Sequence, residues 1–124
     1  MKLSRRRFAA LVAQALDAIP PFIAERMRNV DVVIEDWPTS EQYEALGLEP
    51  DEWLFGLYEG TSLLERGVTA DPLLPDKITI FKGPLEAACE SEAQIAEEVR
   101  RTVVHEVAHH FGIGDERLRE LGYD

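Results

Sequence analysis

The three histidines of the chain fall within six residues, at His105, His109 and His110. The first two belong to the string His105-Glu106-Val107-Ala108-His109. Histidines four apart on a helix project from one face on successive turns, at a separation that one metal ion can bridge through both imidazoles. Glu106 lies about 100° round such a helix. From there a carboxylate reaches a metal-activated water without being a ligand, which is the placement a general base needs. Gly112 can end the helix in the left-handed region, and the chain can then reverse so that Asp115 returns to the metal. The full string, HExxHxxGxxD, offers two neutral nitrogens and one carboxylate oxygen and leaves a fourth tetrahedral position for water. Zinc suits this donor set, although imidazole and carboxylate also accept manganese, iron, cobalt or nickel.

Three histidines and sixteen glutamates in 124 residues give HExxH in roughly six shuffled chains per thousand. The competing account, a buried helix with satisfied histidines, explains neither the clustering nor the adjacent acid. His110 points away from the 105/109 face and is expected to pack or support, not to ligate.

These residues need a helix to carry them, and the sequence supplies one. Ser91 opens it, Glu92 sits in its first turn, and it runs to about Phe111 with Gly112 just past its end. From Thr102 to Ile113 it is apolar on nearly every side except for the three histidines and Glu106, the mark of a buried helix. A short helix from Asp115 to Leu121 follows. Upstream, Phe8, Leu11, Val12, Ala15, Leu16 and Ile19 form one face of an amphipathic helix ended by Pro20-Pro21. A short helix is expected from Phe22 to about Arg28. Strands are expected over Val30 to Trp37, Leu54 to Gly60 and Lys77 to Lys82, the last closed by Gly83-Pro84. Thr39 or Ser40 caps a helix through Leu46 that Gly47 terminates, and residues 61–75 read as a long loop or wide hairpin. Trp37 and Trp53 are expected to pack. The fold class is α+β, a small sheet of about three strands packed on the long helix.

One domain over residues 1–124 fits this length. A formal net charge of -11 disfavours nucleic acid and anionic membrane surfaces as partners. Cys89 is the sole cysteine, which rules out an intrachain disulfide or a cysteine-only zinc site and fits a reducing, cytoplasmic setting. Ser4-Arg5-Arg6-Arg7-Phe8 is similar to a twin-arginine export signal. The helical periodicity that follows favours a structural first helix instead.

Over most of its length the sequence resembles the small bacterial zincin-like metallopeptidases, also described as minimal metalloproteases. Beyond His105 to Asp115, the resemblance rests on Ile19-Pro20-Pro21, on Leu57-Tyr58-Glu59-Gly60 with Glu65-Arg66, and on Leu74-Pro75-Asp76-Lys77-Ile78-Thr79-Ile80-Phe81. It implies a zincin-like fold, a small mixed sheet beside the active-site helix, and zinc held by His105, His109 and Asp115. The larger metzincins carry a methionine turn after the third ligand, whereas Met1 and Met27 both lie upstream here. The floor of the site is therefore missing or built differently.

The expected function is a zinc-dependent peptidase-type hydrolase with Glu106 as general base. Its peptide or protein substrate would lie along a sheet edge, either Leu54 to Gly60 or Ile78 to Lys82. Tyr58 and Tyr123 are candidates to stabilise an oxyanion. The alternative is a catalytically weak or inactive zinc-stabilised binding module. A metal-dependent endoribonuclease with a histidine triad on a similar helix fits poorly, because such proteins carry glycine at the position of Glu106 and have basic surfaces.

Overall fold

The computed structural model describes residues 1–60 and 76–123. Ser4 caps helix α1 (Arg5–Asp17), its side chain accepting from the Arg7 backbone N–H at 3.0 Å. The apolar stripe read from the sequence is the face that goes inside: Phe8, Leu11, Val12 and Ala15 are buried, with Ile19 just beyond. Pro21 starts a single turn, α2 (Pro21–Ala24), which tightens into a 3-10 turn over Glu25–Met27. The remaining elements are β1 (Val30–Glu35), α3 (Ser40–Leu46), β2 (Gly56–Glu59), β3 (Asp76–Phe81), α4 (Lys82–Ala88), α5 (Glu92–His110) and α6 (Asp115–Glu120).

The sheet has the order β1-β3-β2, with β1 parallel and β2 antiparallel to β3. The mixed α+β architecture beside a long helix is the one expected. The central strand is β3, so Ile78, Thr79, Ile80 and Phe81 are all buried. Of the two strands considered as a substrate edge, Ile78 to Lys82 is therefore excluded. Among the described residues, β1 and β2 are the outer strands.

Each strand is shorter than the sequence suggests or shifted by a residue. Gly83-Pro84 marks a different boundary from the one expected: both residues lie in the first turn of α4, a helix the sequence reading missed. Proline is tolerated there because the first N–H groups of a helix have no partner within it. The Gly83 N–H instead donates to the Asp36 carbonyl at 2.7 Å. The expected loop over 61–75 lies outside the described residues. Trp37 and Trp53 are 58% and 57% exposed and not enclosed, each resting one face on a neighbour, Gly83 and Phe55 respectively.

The core joins Phe8, Leu11 and Val12 of α1 to Ile95, Val99 and Val103 of α5, with Ile78 and Ile80 of β3 in the same cluster. Full burial of such side chains stabilises by about 1.5–3 kcal/mol each, which fixes where α5 sits. Arg7 of α1 pairs with Glu92 at the start of α5, and Arg5 with Asp36 after β1. Among the described residues no single helix is long and apolar enough to cross a membrane.

Candidate functional site

The helix that carries the motif is fixed at both ends. The Ser91 side chain accepts from the Gln94 backbone N–H at 3.1 Å, and Glu92 lies at the positive end of the helix dipole. At the other end Gly112 has φ 79°, its N–H donates to the His109 carbonyl, and the Ile113 N–H reaches back to Ala108 at 2.7 Å. This is a Schellman turn, and glycine alone enters it without strain. Along the inner face Ile95, Val99, Val103, Val104, Val107 and Ala108 are buried. The last two turns are not apolar all round as expected: His105 and Glu106 are half-buried, and His109, His110 and Phe111 are exposed. These polar residues lie beside the buried stripe, Glu106 and His110 against β2 and His109 against Asp115.

The turn at Gly112 delivers Asp115 as the first residue of α6, behind Gly114. Asp115 Oδ1 lies 2.9 Å from His109 Nε2 and 3.9 Å from His105 Nε2. The two imidazoles are 6.1 Å apart between ring centroids. The hydrogen bond from His109 holds the Asp115 carboxyl below the usual carboxylate range. The structure thus brings together the two histidines and the aspartate singled out from sequence, both rings presenting Nε2 to the same oxygen.

Zinc ligands at about 2.0–2.1 Å in a tetrahedron stand about 3.3 Å from one another. The observed 2.9 and 3.9 Å bracket that spacing, and two imidazoles with a carboxylate are a zinc donor set. As placed, His109 and Asp115 bond to each other. Among the described residues no three His, Cys, Asp or Glu side chains form a ready-made cage for a metal ion. Asp115 is 65% exposed on its side chain, so reorienting it away from His109 disturbs no packing.

Glu106 lies beside this group, held from the sheet. Its Oε1 accepts from the Tyr58 backbone N–H at 3.3 Å. Burial pushes its pKa above the usual carboxylate value, against smaller opposing effects from that N–H and from His109 and His105. Two local features bring β2 this close. A Cβ at position 56 would stand 2.6 Å from Thr102 Cγ2, so Gly56 is what lets the strand lie against α5. In an antiparallel pair the ladder bonds alternate along a strand. Phe55 accepts from Phe81 at 2.9 Å, which leaves the Tyr58 N–H pointing outward to Glu106.

Both tyrosines considered for an oxyanion make contacts within the fold. The Tyr58 hydroxyl donates to Asp76 Oδ2 at 2.6 Å, and the Tyr123 ring stacks on Phe22 at 5.4 Å. His110 packs its ring 4.1 Å from that of Tyr58. The backbone N–H of Tyr58 and the carboxylate of Asp76 were not identified as site groups from the sequence. No spacing rule links positions 58 and 76 to 106, and only their presence in the segments that carry the family resemblance hinted at them.

Comparisons with known proteins bear on the family and the fold. The profile of the zincin-like metallopeptidase family matches residues 27–123. No curated protein matches. A solved structure, a conserved hypothetical protein from Thermus thermophilus, aligns with 98% of this chain and 100% of its own, at a TM-score of 0.57 and 19% identity. That similarity concerns the fold alone, whereas the family profile spans β1 through α6: the chain belongs to the zincin-like metallopeptidases.

Proposed function

We propose that the chain is a zinc-dependent, peptidase-type hydrolase in which His105, His109 and Asp115 hold the metal and Glu106 is the general base. The observation that carries this reading is the convergence of His105 Nε2, His109 Nε2 and Asp115 Oδ1 beside a half-buried carboxylate with a raised pKa. When bound, zinc supplies Lewis acidity, which lowers the pKa of water and polarises a carbonyl. Glu106 takes the proton of the attacking water at a carboxylate oxygen and later gives it to the leaving amine. Its raised pKa suits both transfers, since a base poised nearer neutrality also serves as an acid. The Tyr58 N–H keeps one oxygen of that carboxylate oriented and leaves the other for the proton.

A peptide substrate is the class best supported. The outer strand β2 runs beside the motif helix and suits an extended chain. A cavity of about 470 Å³ between α3 and β2, walled by Ala45, Leu46, Leu57 and Tyr58, lies next to it with room for a side chain. The single cysteine, Cys89, is free and buried, which accords with a reducing, cytoplasmic setting.

The test is elemental analysis of protein purified without chelator or added metal, beside the His105→Ala, His109→Ala double variant and Glu106→Gln. About one zinc per chain is expected in the wild type and in Glu106→Gln, none in the double variant, and peptide hydrolysis in the wild type alone. No bound zinc at micromolar metal overturns the reading. Zinc without any effect of Glu106→Gln leaves a zinc-stabilised binding module.

A further inference from the structure

The Tyr58 side chain and the start of β3, neither of which takes part in the proposed proton transfers, meet at the end of α5. The Tyr58 hydroxyl donates to Asp76 Oδ2 at 2.6 Å. Its ring stacks on that of His110 at 4.1 Å and 24°, and His110 Nε2 lies 3.7 Å from the same Asp76 oxygen. Gly60 makes the room, because a Cβ there would stand 2.9 Å from His110 Cε1 and 3.4 Å from Tyr58 Cε1. The Asp76 side chain is only 15% exposed. One side chain from each of β2, β3 and α5 therefore joins at a single sheltered point, and the central one belongs to the residue whose N–H holds Glu106.

We propose that Asp76 and His110 are positioning residues that fix Tyr58, and through its backbone N–H the carboxylate of Glu106, beside the His105–His109 face; this rests on reading Glu106 as the general base. The need for such a device follows from the strand. β2 has four residues and, among the described residues, is an outer strand of the sheet. The N–H to Glu106 contact, at 3.3 Å, is near the outer limit of hydrogen-bond length, so a shift of a few tenths of an ångström breaks it. Tyrosine has only two side-chain torsions, so holding its ring and hydroxyl also holds the backbone that bears them. A hydroxyl bonded to a carboxylate is among the stronger hydrogen bonds available for that purpose. Asp76 anchors the hydroxyl to β3 and His110 anchors the ring to α5. Strand and helix end then move together, and Glu106 keeps its partner.

The test is amide hydrogen exchange read by NMR on the full chain in chelator. Tyr58→Phe and Asp76→Ala should each speed exchange of the residue 58 amide by about tenfold, while Ile95 and Val99 stay within about twofold. Asp76→Asn, which keeps an acceptor oxygen for the hydroxyl, should restore most of the protection. Glu106→Ala should expose the same amide, and combining it with Tyr58→Phe should add nothing further. An unchanged residue 58 amide in Tyr58→Phe overturns the proposal, and so does equal acceleration at every amide, which marks a merely structural role. If Asp76→Ala does not fold, Tyr58→Phe, which removes one oxygen, decides. Zinc titration of the same variants separates the two claims: affinity should match the wild type, and a wild type that binds no zinc defeats the reading of Glu106 while the amide result still judges the hold on Tyr58.

Discussion

The two halves of α5 share one backbone geometry and do opposite work. Up to Val104 the helix is a packing element: Ile95, Val99 and Val103 share a core with α1, Glu92 pairs with Arg7 of α1, and Glu97 with Arg100 and Glu98 with Arg101 pair within the helix. From His105 onward the polar side chains face each other, Asp115 and the outer strand. The apolar stripe does not stop at the boundary, since Val107 and Ala108 continue it. Seven buried positions anchor the helix along its full length, and the histidines and Glu106 ride on the neighbouring stripe without having to hold the fold. This separation lets a site carry groups chosen for chemistry and not for stability.

The largest effect expected from breaking that division is removal of residues 1–20. This deletes Phe8, Leu11, Val12 and Ala15 from the core. At about 1.5–3 kcal/mol for each large side chain, the loss is of the order of a small domain's whole stability. Circular dichroism and urea titration should show an unfolded or molten product. A well-folded truncated chain would mean that α1 is not part of the packing half, and would revive the reading of the Ser4–Phe8 tract as an export signal.

Next in size is the contrast within α5 itself. Ile95→Ala, at a fully buried position, should cost about 2–5 kcal/mol in urea unfolding. His105→Ala, half-buried one stripe away, should cost about 1 kcal/mol or less in chelator. Comparable losses would contradict the division of labour. Asp115→Ala sharpens it from the other side: the exposed carboxylate contributes little to the metal-free fold, yet its loss should weaken zinc affinity well over tenfold by titration. Unchanged affinity would point to Glu116 or His110 as the third ligand.

The packing half was legible in the sequence because burial has a period. Phe8, Leu11, Val12 and Ala15 at helical spacing, the Ser91 cap and the Gly112 stop follow from local rules that the tertiary structure did not override. The HExxHxxGxxD string, the most specific part of the family resemblance, was legible for the same reason, as a single helix and turn carry all of it. What failed was non-local. Nothing along the chain says that Ile78 to Phe81 lies in the centre of the sheet, that Gly83-Pro84 opens a helix because Asp36 receives the Gly83 N–H, or that the Tyr58 N–H reaches Glu106. Those contacts depend on how strands order themselves and how closely glycine lets them approach α5.

The smallest effect, and the one that best distinguishes the two halves, is the pH dependence of Glu106→Gln. Burial raises the Glu106 pKa above its value in the unfolded chain, so the native state binds that proton more tightly than the unfolded state. The contribution of this group to stability is complete at pH below the unfolded carboxylate range and is lost as pH rises through the raised native value. Glutamine is neutral throughout and keeps an oxygen that can accept from the Tyr58 N–H. In chelator, the stability of Glu106→Gln relative to wild type should therefore increase between pH 4 and pH 7, and at pH 7 the variant should be the more stable protein in urea. The Ile95→Ala deficit should not change over the same interval, because no proton is involved. A Glu106→Gln variant that is less stable than wild type at pH 7 would show that the carboxylate helps to hold the fold, and the line drawn at Val104 would have to move.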